Sequence, residues 1–320
     1  MRQVRRGAPT SARGRPSDGA GQCLAQMAAA PPREVVAVTA LAGAWRRWRR
    51  HRVAAVAGVV FLVVALACAL GPVIAGAVGL DGTTIDPQLG AVPPTTAHWF
   101  GTDTLGRDML VRVMIGGRIA IVVALVTTVI AIGIGVTYGA IAAYAGGQID
   151  NLMMRIVDAL YGFPTVVFLI VVMAVTGTRS LVALFALIGA ISWLTMARIT
   201  RGQVLALRQR EFALAARALG VPPGRILARH ILPNAAGPVI AYATLALPQV
   251  MITEAFLSFL GLGVQAPLAS WGTLVTEGSS QIVVYPWLLW CPGLVMAVAI
   301  LSLNFIGDGV RDALVGDASN

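Results

Sequence analysis

The sequence predicts an all-α polytopic membrane protein with six transmembrane helices and both termini on the cytoplasmic side. Three observations carry this. Hydrophobic residues make up 57% of the chain and charged residues only 12%, against about 25% charged residues in ordinary soluble domains. The few charges divide the apolar sequence into runs of roughly 20 residues, the length a helix needs to cross a bilayer. The arginines are also distributed unevenly. Eleven precede the first apolar run and seven fall between Arg198 and Arg229, which marks both regions as internal by the positive-inside rule.

Residues 1–44 are rich in Arg, Gly, Ala, Pro and Ser without apolar periodicity, and are expected to form a disordered, basic cytoplasmic tail. Met27 offers a second start position within it. The tail's charge is read as an anchor on the inner side and not as a nucleic-acid surface. The arginines and tryptophans of Trp45 to Arg52 then precede an uncharged run from Val53 to Leu80. That run exceeds the roughly 7–15 apolar residues of a secretory signal, so it is a retained first span. From Asp81 to Arg118 the chain is polar and rich in Pro and Gly with no basic excess, as suits an outer loop. Residues 45–117 are therefore the first helix plus an extracytoplasmic loop.

Residues 118–310 supply a five-helix core. Its spans are expected within Ile119–Ile149, Ala159–Thr178, Ser180–Ala197, Ile231–Thr253 and Gly278–Gly307. Gly135 and Gly139, with Gly133 and Ala143 on nearby turns, let a neighbouring helix approach the second span closely. Pro164 and Pro248 are expected to kink the third and fifth spans. Loops around Arg179 and from Gly263 to Pro286 fall outside, and residues 311–320 form a short cytoplasmic C-terminus.

Between the fourth and fifth spans lies the longest interior segment that cannot lie in a bilayer, within a cytoplasmic loop at 201–234. Glu211 to Pro233 reads as two short helices about a Val221-Pro222-Pro223-Gly224 break, since proline suits a first helical turn but not a helix interior. Phe212, Ala215, Ala216 and Leu219 recur at three- and four-residue spacing and share one face of the first helix. Gly220 suits a tight left-handed exit from that helix. An elbow of this kind between spans is a surface for another protein.

Several chemistries are excluded. The chain has no lysine, so it carries neither a Walker-A phosphate loop nor a lysine Schiff base. His51, His98 and His230 are far apart with no HExxH, and no GxSxG appears. No catalytic or metal-binding residue is expected, and Cys23, Cys68 and Cys291 read as small core residues. Asp158 is explained by an i,i+3 ion pair with Arg155. Glu254, within the fifth span, is harder to set aside, because an ionisable group in a span usually faces a cavity or a partner. It can line a translocation path, gate it, or pair with another helix. A proton relay ordinarily shows several such groups, which argues against an ATP-independent secondary carrier or channel.

Ala215-Ala216-Arg217-Ala218-Leu219-Gly220, followed by His230-Ile231-Leu232-Pro233-Asn234, resembles the cytoplasmic "EAA" loop of permease subunits in binding-protein-dependent ABC importers. Phe100 to Asp108, Tyr144 to Asp150, Trp193 to Arg201, Glu254 to Gly263, Trp271-Gly272 and Asn304 to Leu314 narrow the likeness to the C-type subunit of the dipeptide, oligopeptide and nickel branch. The likeness covers roughly residues 45–315. It implies a type I ABC importer permease fold, a bacterial plasma-membrane location and transport of peptides or a related solute. It also implies that Glu211, Phe212, Ala215, Ala216, Arg217, Leu219, Gly220, Leu232 and Pro233 couple the chain to an ATPase. The implied partners are a second permease subunit, two ATP-binding cassette subunits and an extracytoplasmic substrate-binding protein, besides membrane lipid. ATP and Mg would be used by the partner subunits, with no cofactor on this chain. One departure is clear: Leu214 stands where the family's triplet has glutamate, with Glu211 about one turn away.

Overall fold

The structure, a computed structural model, describes residues 51–315 apart from positions 78, 81, 178, 179 and 267. The tail expected at 1–44, the Trp45–Arg50 anchor, Cys23 and the Arg179 loop tip lie outside the described residues. The regular elements among the described residues are helices: α1 (Arg52–Ala77), α2 (Met109–Ala145), α3 (Gly147–Tyr161), α4 (Thr165–Thr176), α5 (Leu181–Leu207), α6 (Glu211–Ala218), α7 (Pro223–Ile226), α8 (Leu232–Phe259), α9 (Trp271–Ser280) and α10 (Trp287–Val315). A π-helical turn, Leu227–Ile231, joins α7 to α8.

Among the described residues, five stretches are long and apolar enough to cross a membrane: α1, α2, α5, the run through α7 and α8, and α10. A sixth exists if α3 and α4, bent by 79° at their junction, count as one broken span. The sequence places one span, kinked at Pro164, at Ala159–Thr178, and the structure has a full break there instead of a kink. Pro164 lacks the N–H that would continue α3 and instead stands at the N-cap of α4. The 12 residues of α4 reach only about 18 Å, short of the ~30 Å hydrocarbon layer. Pro248, by contrast, lies inside a helix that runs unbroken through Leu232–Phe259.

Two other boundaries also differ. α2 begins ten residues before Ile119 because Asp108 caps it, its Oδ1 accepting from the Val111 N–H at 3.0 Å. The same carboxylate meets His98 Nδ1 at 2.8 Å through Oδ2. Arg112, which would be costly on an apolar helix, is buried at 5% exposure between Asp103 (2.6 Å) and Glu277 (3.0 Å). Gly278, expected in the last span, lies in α9, and that span begins at Trp287.

The main apolar core gathers α1, α2, α5, α8, α9 and α10 around Trp271, Val123, Leu184, Leu257 and Ala299. Trp271 is fully buried and donates its Nε1–H to the Val113 carbonyl at 2.8 Å, which fixes α9 across the N-terminal part of α2. Cys68 is buried in this core and Cys291 half-buried.

α2 and α5 are the most closely packed pair. A Cβ at Gly135 would stand 2.6 Å from Met196 Cβ and 2.8 Å from the Trp193 carbonyl oxygen. One at Gly139 would run into the Ala197 carbonyl and stand 3.0 Å from the Arg201 amide nitrogen. Only glycine admits this approach. Gly133 faces open space.

Candidate functional site

The elbow is built on alanine. Ala213 and Ala216 of α6, one turn apart, are buried against Ala140 and Ala143 of α2, Val204 of α5, and Ile226 and Ile231 of the second arm. Small side chains on both sides let α6 lie flat under the ends of α2 and α5. Arg208 strengthens this seat, donating from Nη1 to the Ala143 carbonyl at 2.7 Å.

α6 ends in a Schellman turn. Gly220 adopts φ +73°, its N–H donates to the Arg217 carbonyl at 3.0 Å, and the Val221 N–H reaches back to Ala216 at 3.1 Å. Pro222 then caps α7, with Pro223 in its first turn. Beyond it, the Leu227–Ile231 turn carries the chain into α8, whose first turn holds Leu232 and Pro233.

This arrangement divides the face expected to be shared by Phe212, Ala215, Ala216 and Leu219. Ala216 turns inward with Ala213, while Phe212, Ala215 and Leu219 stay exposed. Periodicity identifies which residues share a side, but the buried side is centred about one residue away, on the smallest pair. Leu214 at 49% and Leu219 at 79% exposure are large apolar side chains turned to solvent. Glu211, Arg217 and Pro233 are exposed, and Leu232 is half-buried against the inner cluster. Leu214 and Arg217 line an open cleft of about 480 Å³ with Tyr144, Arg208 and Gln209.

Glu254 is 1% exposed. Its Oε1 accepts from Ser258 Oγ at 2.8 Å and Ser270 Oγ at 2.6 Å. Ser270 is the N-cap of α9, so the carboxylate ties α8 to the start of that helix. Of the three options the sequence leaves open for Glu254, the geometry is that of a pairing between elements. Neither the cavity among α2, α5 and α8 nor the one beside Arg112 and Glu277 includes Glu254 in its lining.

Asp158 does not pair with Arg155 as expected. It accepts from Arg198 of α5 at 2.6 Å, and that guanidinium also lies 4.1 Å from the centre of the Tyr161 ring. Asp150 forms a two-pronged pair with Arg201 at 2.6 and 2.8 Å. Both pairs fasten α3 to α5. They were invisible to local spacing because the partners are far apart in sequence.

The chain matches a family model described as the binding-protein-dependent transport system inner membrane component over residues 135–319, more than half its length. It belongs to that family. Residues 39–89 match a second model, the N-terminal transmembrane domain of oligopeptide transport permease C. This permease is 48% identical over 217 residues to the oligopeptide transport system permease protein OppC of Haemophilus influenzae, covering 68% of this chain and 70% of that protein. It is 42% identical to OppC of Escherichia coli K12, covering 84% and 89%. Against the dipeptide transport system permease protein DppC of Bacillus subtilis it is 38% identical, covering 85% and 84%. A structure of the inward-facing MetNI methionine ABC transporter, in its native crystal form, superposes with a TM-score of 0.51 at 19% identity. That match covers 64% of this permease and 97% of the MetNI chain. The all-helical fold is therefore that of an ABC importer permease, and the chain is a multi-pass protein of the bacterial inner membrane.

Proposed function

We propose that this permease forms half of the membrane pathway of an ATP-driven importer for dipeptides or oligopeptides, beside a second permease subunit. Two ATP-hydrolysing subunits dock on the elbow of this chain and on its counterpart in that second subunit, and an extracytoplasmic binding protein delivers the solute to the outer loops. ATP and Mg²⁺ belong to the docked subunits. Both termini and the elbow lie in the cytoplasm.

The observation that carries the docking role is the exposure of Phe212, Leu214 and Leu219 on a helix whose alanine side is already buried. Large apolar side chains projecting from a short, rigidly seated helix suit a groove on a partner. Arg217 and Glu211 flank them and can set its orientation. The peptide assignment rests on the OppC and DppC relatives. Leu214 replaces the triplet's glutamate with an apolar contact beside the Arg208 and Arg217 cleft, so this cleft suits an acidic side chain of the ATPase. Glu254 is assigned to holding α9 on α8 and not to gating.

The test is uptake of labelled di- and tripeptides by cells that lack their own peptide importers and express the whole complex. Import that requires the binding protein and ATP supports the reading. Import by this chain alone in liposomes would replace it with a self-sufficient carrier.

A further inference from the structure

Where α2, α5 and α8 meet, a cavity of about 250 Å³ lies near the middle of all three helices. Its polar lining is Thr128, Ser192, Thr195, Tyr242, Gln249 and Thr253. No acidic or basic side chain is among its lining residues. The nearest charges are occupied elsewhere. Glu254 bonds to Ser258 and Ser270, and Arg198, one turn beyond Thr195, is held by Asp158 and the Tyr161 ring.

The lining has bonding capacity to spare. Thr128 is 6% exposed, and its Oγ1 has no hydrogen-bond partner among the described residues. An unpaired hydroxyl at that depth is costly unless something occupies it. The Gln249 side-chain amide, which offers both a donor and an acceptor, makes no hydrogen bond among the described residues either. Ser192 and Thr253 donate to the carbonyls of Ile188 and Gln249, at 2.8 Å each, which leaves their oxygens free to accept.

Resting on the peptide reading above, we propose that this cavity is a main-chain recognition subsite on the pathway. Thr128, Ser192 and Thr253 accept from peptide N–H groups, and the Gln249 amide pairs with a peptide unit in both directions. Every peptide carries these groups, whatever its side chains. An uncharged lining favours neither sign of charge, so the subsite does not discriminate a lysine from a glutamate side chain. At about 250 Å³ it is smaller than the roughly 300–1,000 Å³ that encloses a whole small ligand, so it holds a segment while the chain moves through.

The experiment compares import of Ala-Lys-Ala and Ala-Glu-Ala by the full complex in cells without other peptide importers. Dividing each variant's lysine-to-glutamate ratio by that of wild type cancels the selectivity of the binding protein. Gln249→Glu puts a carboxylate at the subsite and is expected to shift the ratio toward the lysine peptide by roughly tenfold, the effect of one charge-assisted hydrogen bond. Thr128→Val keeps shape and removes the acceptor. It is expected to slow both peptides equally and to narrow the preference for a peptide over its N-methylated analogue. An unchanged ratio in Gln249→Glu, or an unchanged N-methyl preference in Thr128→Val, overturns the subsite while leaving the importer intact. If wild type imports no peptide at all, the peptide reading itself fails. If Gln249→Glu does not reach the membrane, the decision passes to Thr128→Val.

Discussion

Gly220 is the position where backbone geometry and docking can be separated. Its φ of +73° lies in the left-handed region, yet a Cβ there would have no atom within 4 Å. Substitution therefore costs backbone strain without internal clash, roughly 1–2 kcal/mol for alanine and less for asparagine, which tolerates this conformation. If the turn relaxes to relieve the strain, it gives up the Val221-to-Ala216 hydrogen bond and displaces Leu219, the most exposed apolar residue of the elbow. A penalty of 1–2 kcal/mol corresponds to a 5- to 30-fold change in an equilibrium. The assay is titration of the ATPase subunits onto the permease pair in nanodiscs, with binding-protein-stimulated ATP hydrolysis as the second readout. The expected order of affinity is Gly, then Asn, then Ala, with Val weakest. Asp should behave like Asn if strain governs. Alanine equal to glycine would refute the strain argument. Asp far weaker than Asn would show that charge at the interface decides instead.

Other substitutions test the remaining geometry. Gly139→Ala drives a methyl group into the Ala197 carbonyl, and should cost about 1–3 kcal/mol as overpacking, seen as a lower Tm in detergent; Gly133→Ala, facing open space on the same helix, should not lower Tm and gains what alanine adds in helix propensity. Glu254→Gln keeps an acceptor for Ser258 and Ser270 and should import at close to the wild-type rate, whereas Glu254→Ala strands two buried hydroxyls and should lose about 1–3 kcal/mol of stability. Loss of import in a stable Glu254→Gln protein would return a gating role to that carboxylate. Arg112→Ala takes one of two guanidinium partners from buried Asp103, which keeps Arg107 at 2.7 Å, and should destabilise by about 1.5–3 kcal/mol; Glu277→Ala, half-exposed at the other end of the same contact, should cost less than about 1 kcal/mol. Thermal melts of both variants would show whether the inner or the outer contact matters.

What could be read from sequence divides along physical lines. The long spans are legible because a bilayer imposes length and excludes charge, and both are local properties. The elbow is legible because Pro222, Pro223 and Gly220 constrain the backbone where they stand. The inward turn of Ala216 was not legible, since periodicity fixes which residues share a face and only the neighbours decide which face is buried. Here the deciding neighbours are Ala140, Ala143 and Val204, on two other helices. The early start of α2 is not legible because Arg112 reads as a charge outside the span until Asp103 and the distant Glu277 are seen to enclose it. Pro164 signals a disturbance in the sequence, but whether a proline kinks a helix or ends it depends on the packing around it. Thr128 and Gln249 carry no motif, and three helices must cross before they become a site.

The same helices that seat the elbow also wall the cavity, which bears on how docking reaches the pathway. α2 and α5 are locked through Gly135 and Gly139, where backbone lies almost against backbone, so they move together or not at all. They supply Thr128, Ser192 and Thr195. Among the described residues, no such glycine contact ties the third wall, α8, to α2 or α5. It joins the elbow directly through the Leu227–Ile231 π turn, a geometry less regular than the helices on either side. In the proposed mechanism, an ATPase subunit pulling on α6 and α7 meets a rigid pair on one side and a hinged helix on the other. The displacement must then appear as movement of α8 against α2 and α5. Gln249 and Thr253 would shift relative to Thr128, and the cavity would open or close without any change in the α2–α5 contact. The tie from Glu254 to Ser270 extends that motion to α9 at the outer end of the bundle.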